Sequence, residues 1–143
     1  MDERDLLKLD NDIAFALYAC SKGLIRKYNP VLESLGLTYT SYLAMLSLWE
    51  KDRQSIGELG KSLFLDSGTL TPLLKKMEKQ GLILRERGEE DERVVYISLT
   101  PKGKALRERA NELVSALKTT MRLFEDKNLF EGLKELLPLL YGI

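Results

Sequence analysis

The 143-residue sequence contains no histidine. That absence removes a histidine general base, a catalytic triad of the usual kind and every histidine-ligated metal site. A single cysteine, Cys20, allows neither an internal disulfide nor a zinc ribbon. No apolar run approaches the roughly 18 residues of a spanning helix, and Met1 is followed by Asp2, Glu3, Arg4 and Asp5 rather than by a basic-then-apolar signal segment. A cytoplasmic protein without membrane contact is expected. Lysine plus arginine and aspartate plus glutamate each number 22, so total charge points to neither nucleic acid nor membrane, and any basic surface must come from local segregation. No cluster of cysteines or paired inward carboxylates is visible, so neither catalysis nor a cofactor nor a metal is expected. The adjacent carboxylates of 89–92 read as a solvated hairpin loop.

What is present is ordinary globular composition, 44% hydrophobic and 31% charged, over a length that suits one domain. Leu6, Ile13, Leu17, Cys20, Leu24 and Tyr28 fall on one helical stripe, which predicts a long amphipathic helix over 6–28. Asn29-Pro30 is expected to interrupt it, because proline lacks the amide donor. Thr40 is the expected cap of a shorter helix burying Leu43, Leu46 and Trp49.

Ser55-Ile56-Gly57-Glu58 has capping-box spacing, and Asp66-Ser67 offers a second N-cap about three residues after Leu63. Two short helices joined by a tight turn form a candidate helix-turn-helix, closed by Gly81. The period then changes to about two, predicting strands over 82–87 and 94–99 around the polar stretch 88–92. Thr100-Pro101 opens a further helix. Leu106, Ala110, Leu113, Leu117, Met121 and Phe124 follow at helix-pairing spacing, and an apolar segment over 129–140 ends near Pro138.

The helix after Asp66 carries the functional signal. With Leu70 as reference, Leu73, Leu74 and Met77 lie within about 60°, whereas Thr71, Pro72, Lys75, Lys76 and Lys79 spread from about 100° to about 240°. The outward face is basic and hydroxylic, as suits phosphates and base edges of DNA. Arg85, Arg87 and Arg93 follow on the predicted hairpin. Capped helix, turn, polar-faced helix and hairpin in this order make a winged helix-turn-helix, whose second helix enters the major groove while the hairpin reaches the adjacent minor groove.

Leu65-Asp66-Ser67-Gly68-Thr69-Leu70-Thr71-Pro72-Leu73-Leu74-Lys75-Lys76-Met77-Glu78, followed by Gly81-Leu82-Ile83, resembles the recognition-helix segment of the MarR transcription regulators. Glu90-Asp91-Glu92-Arg93 resembles their acidic wing, and Phe15-Ala16-Leu17-Tyr18-Ala19 with Leu37-Thr38-Tyr39-Thr40-Ser41-Tyr42-Leu43 resembles the organic-hydroperoxide-sensing branch. The resemblance implies a mainly α fold with a small β-hairpin wing. It also implies a homodimer held by N- and C-terminal helices, probing a near-palindromic DNA operator as a repressor. The expected layout is one domain over 1–143, with the winged helix at about 40–100 and dimerisation helices at about 5–36 and 101–143. Asp66, Ser67, Thr69, Thr71, Lys75, Lys76, Lys79, Arg85, Arg87 and Arg93 are the expected DNA-binding residues.

In the peroxide-sensing branch the reactive cysteine stands one residue before the Phe of the first-helix motif. Here that residue is Ala14, although Tyr28 and Tyr39 match the two tyrosines that serve the thiol. Cys20 lies about 120° around an ideal helix from Ala14, within the apolar stripe, where a free cysteine reads as a small buried hydrophobe. A small apolar or phenolic ligand near Tyr28, Tyr39 and Cys20 is therefore the expected signal. The alternatives are a thiol-based repressor using Cys20 and a winged-helix protein-interaction module without DNA binding.

Overall fold

The computed structural model describes residues 6–143; residues 1–5, read above as lacking a targeting signal, lie outside it. The helices are α1 (Ile13–Ser34), α2 (Tyr39–Glu50), α3 (Ile56–Leu63), α4 (Ser67–Lys79), α5 (Pro101–Thr119) and α6 (Lys127–Tyr141). The strands are β1 (Gln54–Ser55), β2 (Ile83–Arg87) and β3 (Val95–Leu99), paired antiparallel in the order β1-β3-β2. The mainly α winged helix-turn-helix expected from the sequence is thus present, with one strand the sequence pattern did not show. β1 is two residues long and too short for periodicity to reveal; it is held because Gln54 is buried, donating through Nε2 to Lys51 O at 2.7 Å and to Ser47 O at 3.1 Å.

The first helix departs from expectation at both ends. It starts at Ile13, where the Asp12 carboxylate accepts the Ala14 amide at 2.9 Å, and residues 6–8 precede a short 3-10 turn instead of extending it. It also runs through Pro30. An interior proline costs about 3 kcal/mol, but Tyr28 and Leu32 are buried on either side of it and hold both halves against the core. Full burial of such a side chain is worth about 1.5–3 kcal/mol, so packing decides against propensity. Thr38, not Thr40, caps α2: its Oγ1 accepts the Ser41 amide at 3.3 Å and its own amide donates to Ser41 Oγ at 2.8 Å. Thr40 lies inside the first turn.

The expected seam on the fifth helix stops at Thr119. The hydroxyls of Thr119 and Thr120 donate to the carbonyls of Ala116 and Leu117, both at 2.7 Å, and end the helix by satisfying its last turn. Phe124 falls instead in a 3-10 turn (Arg122–Glu125), where its ring meets Tyr28 at 6.4 Å. Pro138 does not end α6, which continues to Tyr141 and is capped by Gly142.

The core joins α2, α3, α4 and the sheet through Met45, Leu48, Leu59, Leu70, Leu74, Met77, Ile83 and Ile97, all essentially inaccessible. Its tightest point lies where α5 starts. Thr100 Oγ1 accepts the Gly103 amide at 3.0 Å and donates to Gly81 O at 2.6 Å, while Trp49 Nε1 donates to Gly103 O at 2.9 Å. A Cβ on Gly103 would overlap the Leu82 carbonyl. Gly103→Ala is accordingly expected to lower stability by about 1–3 kcal/mol in urea unfolding. Gly57→Ala, whose added Cβ meets only Ser55 Oγ at 3.8 Å, is expected to shift it by less than about 1 kcal/mol.

Beside this core Tyr28, Tyr39 and Tyr42 form a cluster, with ring centroids 5.3 to 6.2 Å apart. Burial, reinforced by the neighbouring phenols of Tyr42 and Tyr39, pushes the Tyr28 hydroxyl from 10.0 up to about 12; burial also raises Tyr39 and Tyr42. The folded state therefore favours the neutral phenol. Its contribution is complete below about pH 10 and is lost as pH rises towards about 12. Unfolding titrations of the wild type are expected to show an alkaline loss of stability across this window that is shallower in Tyr28→Phe.

Candidate nucleic-acid interface

The helix-turn-helix is built from α3 and α4. Ser55 Oγ accepts the Glu58 amide at 3.1 Å, giving half of the expected capping box. The Glu58 carboxylate completes it differently, accepting from the Ser55 hydroxyl at 3.4 Å and from Lys51 Nζ at 3.2 Å, and the Lys51 bond holds it below the usual carboxylate range. Phe64 closes α3 in the left-handed conformation, φ 57°, with its ring 4.5 Å from that of Tyr141 at the end of α6.

Asp66 then starts α4. Its Oδ1 accepts the Thr69 amide at 2.7 Å, a bond that stabilises the carboxylate and holds its pKa below the ordinary aspartate range. At the far end Gly81, φ 78°, lets the Leu82 amide reach Met77 O at 3.1 Å and its own amide reach Glu78 O at 2.9 Å, a Schellman cap. Gln80 Nε2 ties that end to Gly36 O at 2.8 Å, and Lys102 Nζ donates to Gln80 O at 2.8 Å.

Between these caps Leu70, Leu74 and Met77 are buried. Ser67, Thr69, Lys75, Lys76 and Lys79 are exposed and Thr71 is half-buried. The structure thus gathers the sequence-selected hydroxyls and lysines on the outer side of one rigid helix, with Asp66 at its head. The three wing arginines separate. Arg93 is 91% exposed at the loop and forms a two-point pair with Asp91, Nε to Oδ1 at 3.1 Å and Nη2 to Oδ2 at 3.3 Å, which holds the Asp91 carboxyl below its usual range. Arg87 donates to Glu92 O at 2.9 Å and shapes the loop. Arg85 is half-buried, and its Nε has no hydrogen-bond partner among the described residues.

The sensing residues separate too. Tyr28 and Tyr39 pack edge to face, joined by Tyr42, which the sequence reading missed although it stands one turn after Tyr39. Cys20 is exposed on α1, so the expectation of a buried filler fails: its stripe-mates Ile13 and Leu17 are exposed as well, and the stripe reaches the core only at Leu24 and Tyr28. Among the described residues no helix is long and apolar enough to cross a membrane, and no group of three or more cysteine, aspartate or glutamate side chains is arranged to hold a metal ion.

Residues 26–113 match the family model described as transcriptional regulator SarA/Rot. The chain is 47% identical over 139 residues to the organic hydroperoxide resistance transcriptional regulator of Bacillus subtilis, covering 97% of this chain and 91% of that protein. It is 34% identical to AbfR of Staphylococcus epidermidis, solved in a reduced form bound to DNA, with a TM-score of 0.81 and coverage of 96% and 98%. The overoxidized form bound to DNA superposes with a TM-score of 0.80. These relatives are regulators of transcription, not enzymes. On this evidence of sequence and fold, the chain belongs to the MarR/SarA-type winged-helix transcriptional regulators.

Proposed function

We propose that the chain is a sequence-specific DNA-binding repressor, acting in the cytoplasm as a homodimer on a near-palindromic operator and released by a small apolar or phenolic ligand. The observation that carries this reading is the outer face of α4, where Ser67, Thr69, Lys75, Lys76 and Lys79 stand exposed above a fully buried Leu70-Leu74-Met77 seam. Hydroxyls and ammoniums at this density suit phosphates and base edges, and Asp66 orients the first turn by capping it. Arg93 stands exposed at the wing loop, as suits a minor groove, where a narrow A·T segment attracts a guanidinium. AbfR, with the same fold, is solved on DNA.

The dimer is supported by α1 and α6. No residue of α6 is buried; Phe130, Leu133, Leu137 and Leu140 line an apolar groove with Leu17 of α1, and Leu129, Ile13 and Phe15 are exposed as well. Apolar surface left open along two helices marks an interface. In this reading about 5–36 and 101–143 serve assembly, and about 40–100 serve DNA. The ligand reading rests on Ala14, which supplies no thiol, and on the Tyr28–Tyr39–Tyr42 cluster as an aromatic wall.

Cys20, the one thiol of the sequence and uncovered in the single chain, supports a second reading, in which an organic hydroperoxide oxidises that thiol and weakens DNA binding. One comparison separates the two. Organic hydroperoxide is expected to leave wild type and Cys20→Ser equally bound to the operator, whereas a phenolic ligand releases both; release of wild type alone by peroxide assigns the sensor to Cys20. For the DNA reading itself, Lys75→Ala and Lys76→Ala are each expected to weaken operator binding at unchanged unfolding midpoint. Each should also reduce the slope of log affinity against log salt by about 1. Binding that does not depend on salt contradicts the interface.

A further inference from the structure

Arg53 follows the end of α2 and adopts φ 56°, the left-handed region that bulky residues rarely occupy. Such a conformation persists only where its surroundings over-determine it. Here they do so from both ends of the residue. The Arg53 amide donates to Asp52 Oδ1 at 2.8 Å; the same oxygen accepts the Leu99 amide at 2.8 Å from the end of β3, and Oδ2 faces Lys104 Nζ at 3.8 Å. The guanidinium carbon lies 4.2 Å from the ring centroid of Tyr96, within cation–π range.

Tyr96 links this turn to the wing. It is the β3 residue opposite Glu86 of β2 and Ser55 of β1, and its ring packs on Gly88, where an added Cβ would come within 3.3 Å of Cε2 and 2.8 Å of Asp91 O. Arg53 also lines an open cleft of about 350 Å³ together with Glu89, Glu90 and Asp91, which sets it across from the acidic loop. The loop's own bonds are local: Gly88 amide to Val94 O at 2.8 Å, Val94 amide to Asp91 O at 3.1 Å, Arg87 to Glu92 O and Arg93 to Asp91. They give the loop a shape without fixing its direction, and a two-stranded hairpin is marginal by itself in water. The stack of guanidinium, phenol ring and Gly88 backbone connects that shape to the body of the domain.

We propose that Arg53 is a positioning residue for the wing: stacked on Tyr96 and facing the acidic loop, it sets the direction in which residues 88–94 present Arg93, without touching DNA itself. The consequence for DNA affinity rests on the reading that the wing contacts DNA. The anchoring of the loop does not.

The test uses full-length Arg53→Asn, since asparagine accepts left-handed backbone and lacks the guanidinium; Arg53→Gly repeats it without any side chain. Amide hydrogen exchange of residues 89–93 in the free protein is expected to quicken in both variants, by about two- to fivefold, the factor that an exposed cation–π contact represents. Operator affinity is expected to fall by a similar factor at unchanged salt slope, and no further fall is expected when Arg53→Asn is added to Arg93→Ala. Unchanged exchange in the loop overturns the anchoring, whatever happens on DNA. A salt slope reduced by about 1 makes Arg53 a direct phosphate contact and overturns the positioning role, as does an additive loss in the double variant. If Arg93→Ala leaves operator binding intact while Arg53→Asn still frees the loop, the wing's contact with DNA fails and the anchoring stands.

Discussion

The close passage of the α5 backbone against the strand that follows α4 sets the frame for the reading head. Gly103 lies so near the Leu82 carbonyl that no side chain fits, and the Thr100 hydroxyl and Trp49 indole complete the junction with bonds to Gly81 O and Gly103 O. Four elements therefore meet within a few residues: the end of α4, the start of β2, the start of α5 and the last turns of α2. Because each bond uses backbone at one end, the junction fixes directions as well as distances. The direction of α4 relative to the long helices is the property a regulator must control.

From that junction outward, the recognition helix is specified by its two ends and one seam. Asp66 and Gly81 satisfy the amides and carbonyls that a thirteen-residue helix leaves open. Leu70, Leu74 and Met77 press one side into the core, which leaves the lysines and hydroxyls no place except the outer side. The basic face is thus a consequence of packing in a chain whose net charge is +0. Local segregation creates the field that the total charge lacks. The wing is held by a short sheet and by the ring of Tyr96.

The long helices have a different economy. Tyr28 and Leu32 bind α1 to the core strongly enough to carry it through Pro30, while its first turns and the whole of α6 keep their apolar faces open. The same helix is therefore packed into the core at its C-terminal half and left uncovered at its N-terminal half. The tyrosine cluster sits where those halves meet, in contact with Phe124 from the turn that leads into α6. The aromatic contact of Phe64 with Tyr141 forms a second link between α6 and the helix-turn-helix.

By itself the sequence determined the order of elements, the caps at Ser55, Asp66 and Thr100, the Gly81 stop and the buried seam of α4. These are local: a hydroxyl three residues from an amide, or an apolar residue every three or four positions, acts within one turn and can be read along the chain. It also marked the outward lysines, because what a helix does not bury it exposes. Tertiary structure decided what competes with local preference or joins distant segments. Pro30 stayed helical because burial on both sides outweighed a lost bond, and Phe124 left the expected helical seam for a turn in which its ring meets Tyr28. β1 formed because a distant strand offered it a partner. Cys20 is exposed although it lies on an apolar stripe, since periodicity shows that a face wants cover but cannot show whether the same chain supplies it. Arg53, an unremarkable surface arginine in the sequence, acquired its place only when the fold brought Tyr96 beneath its guanidinium.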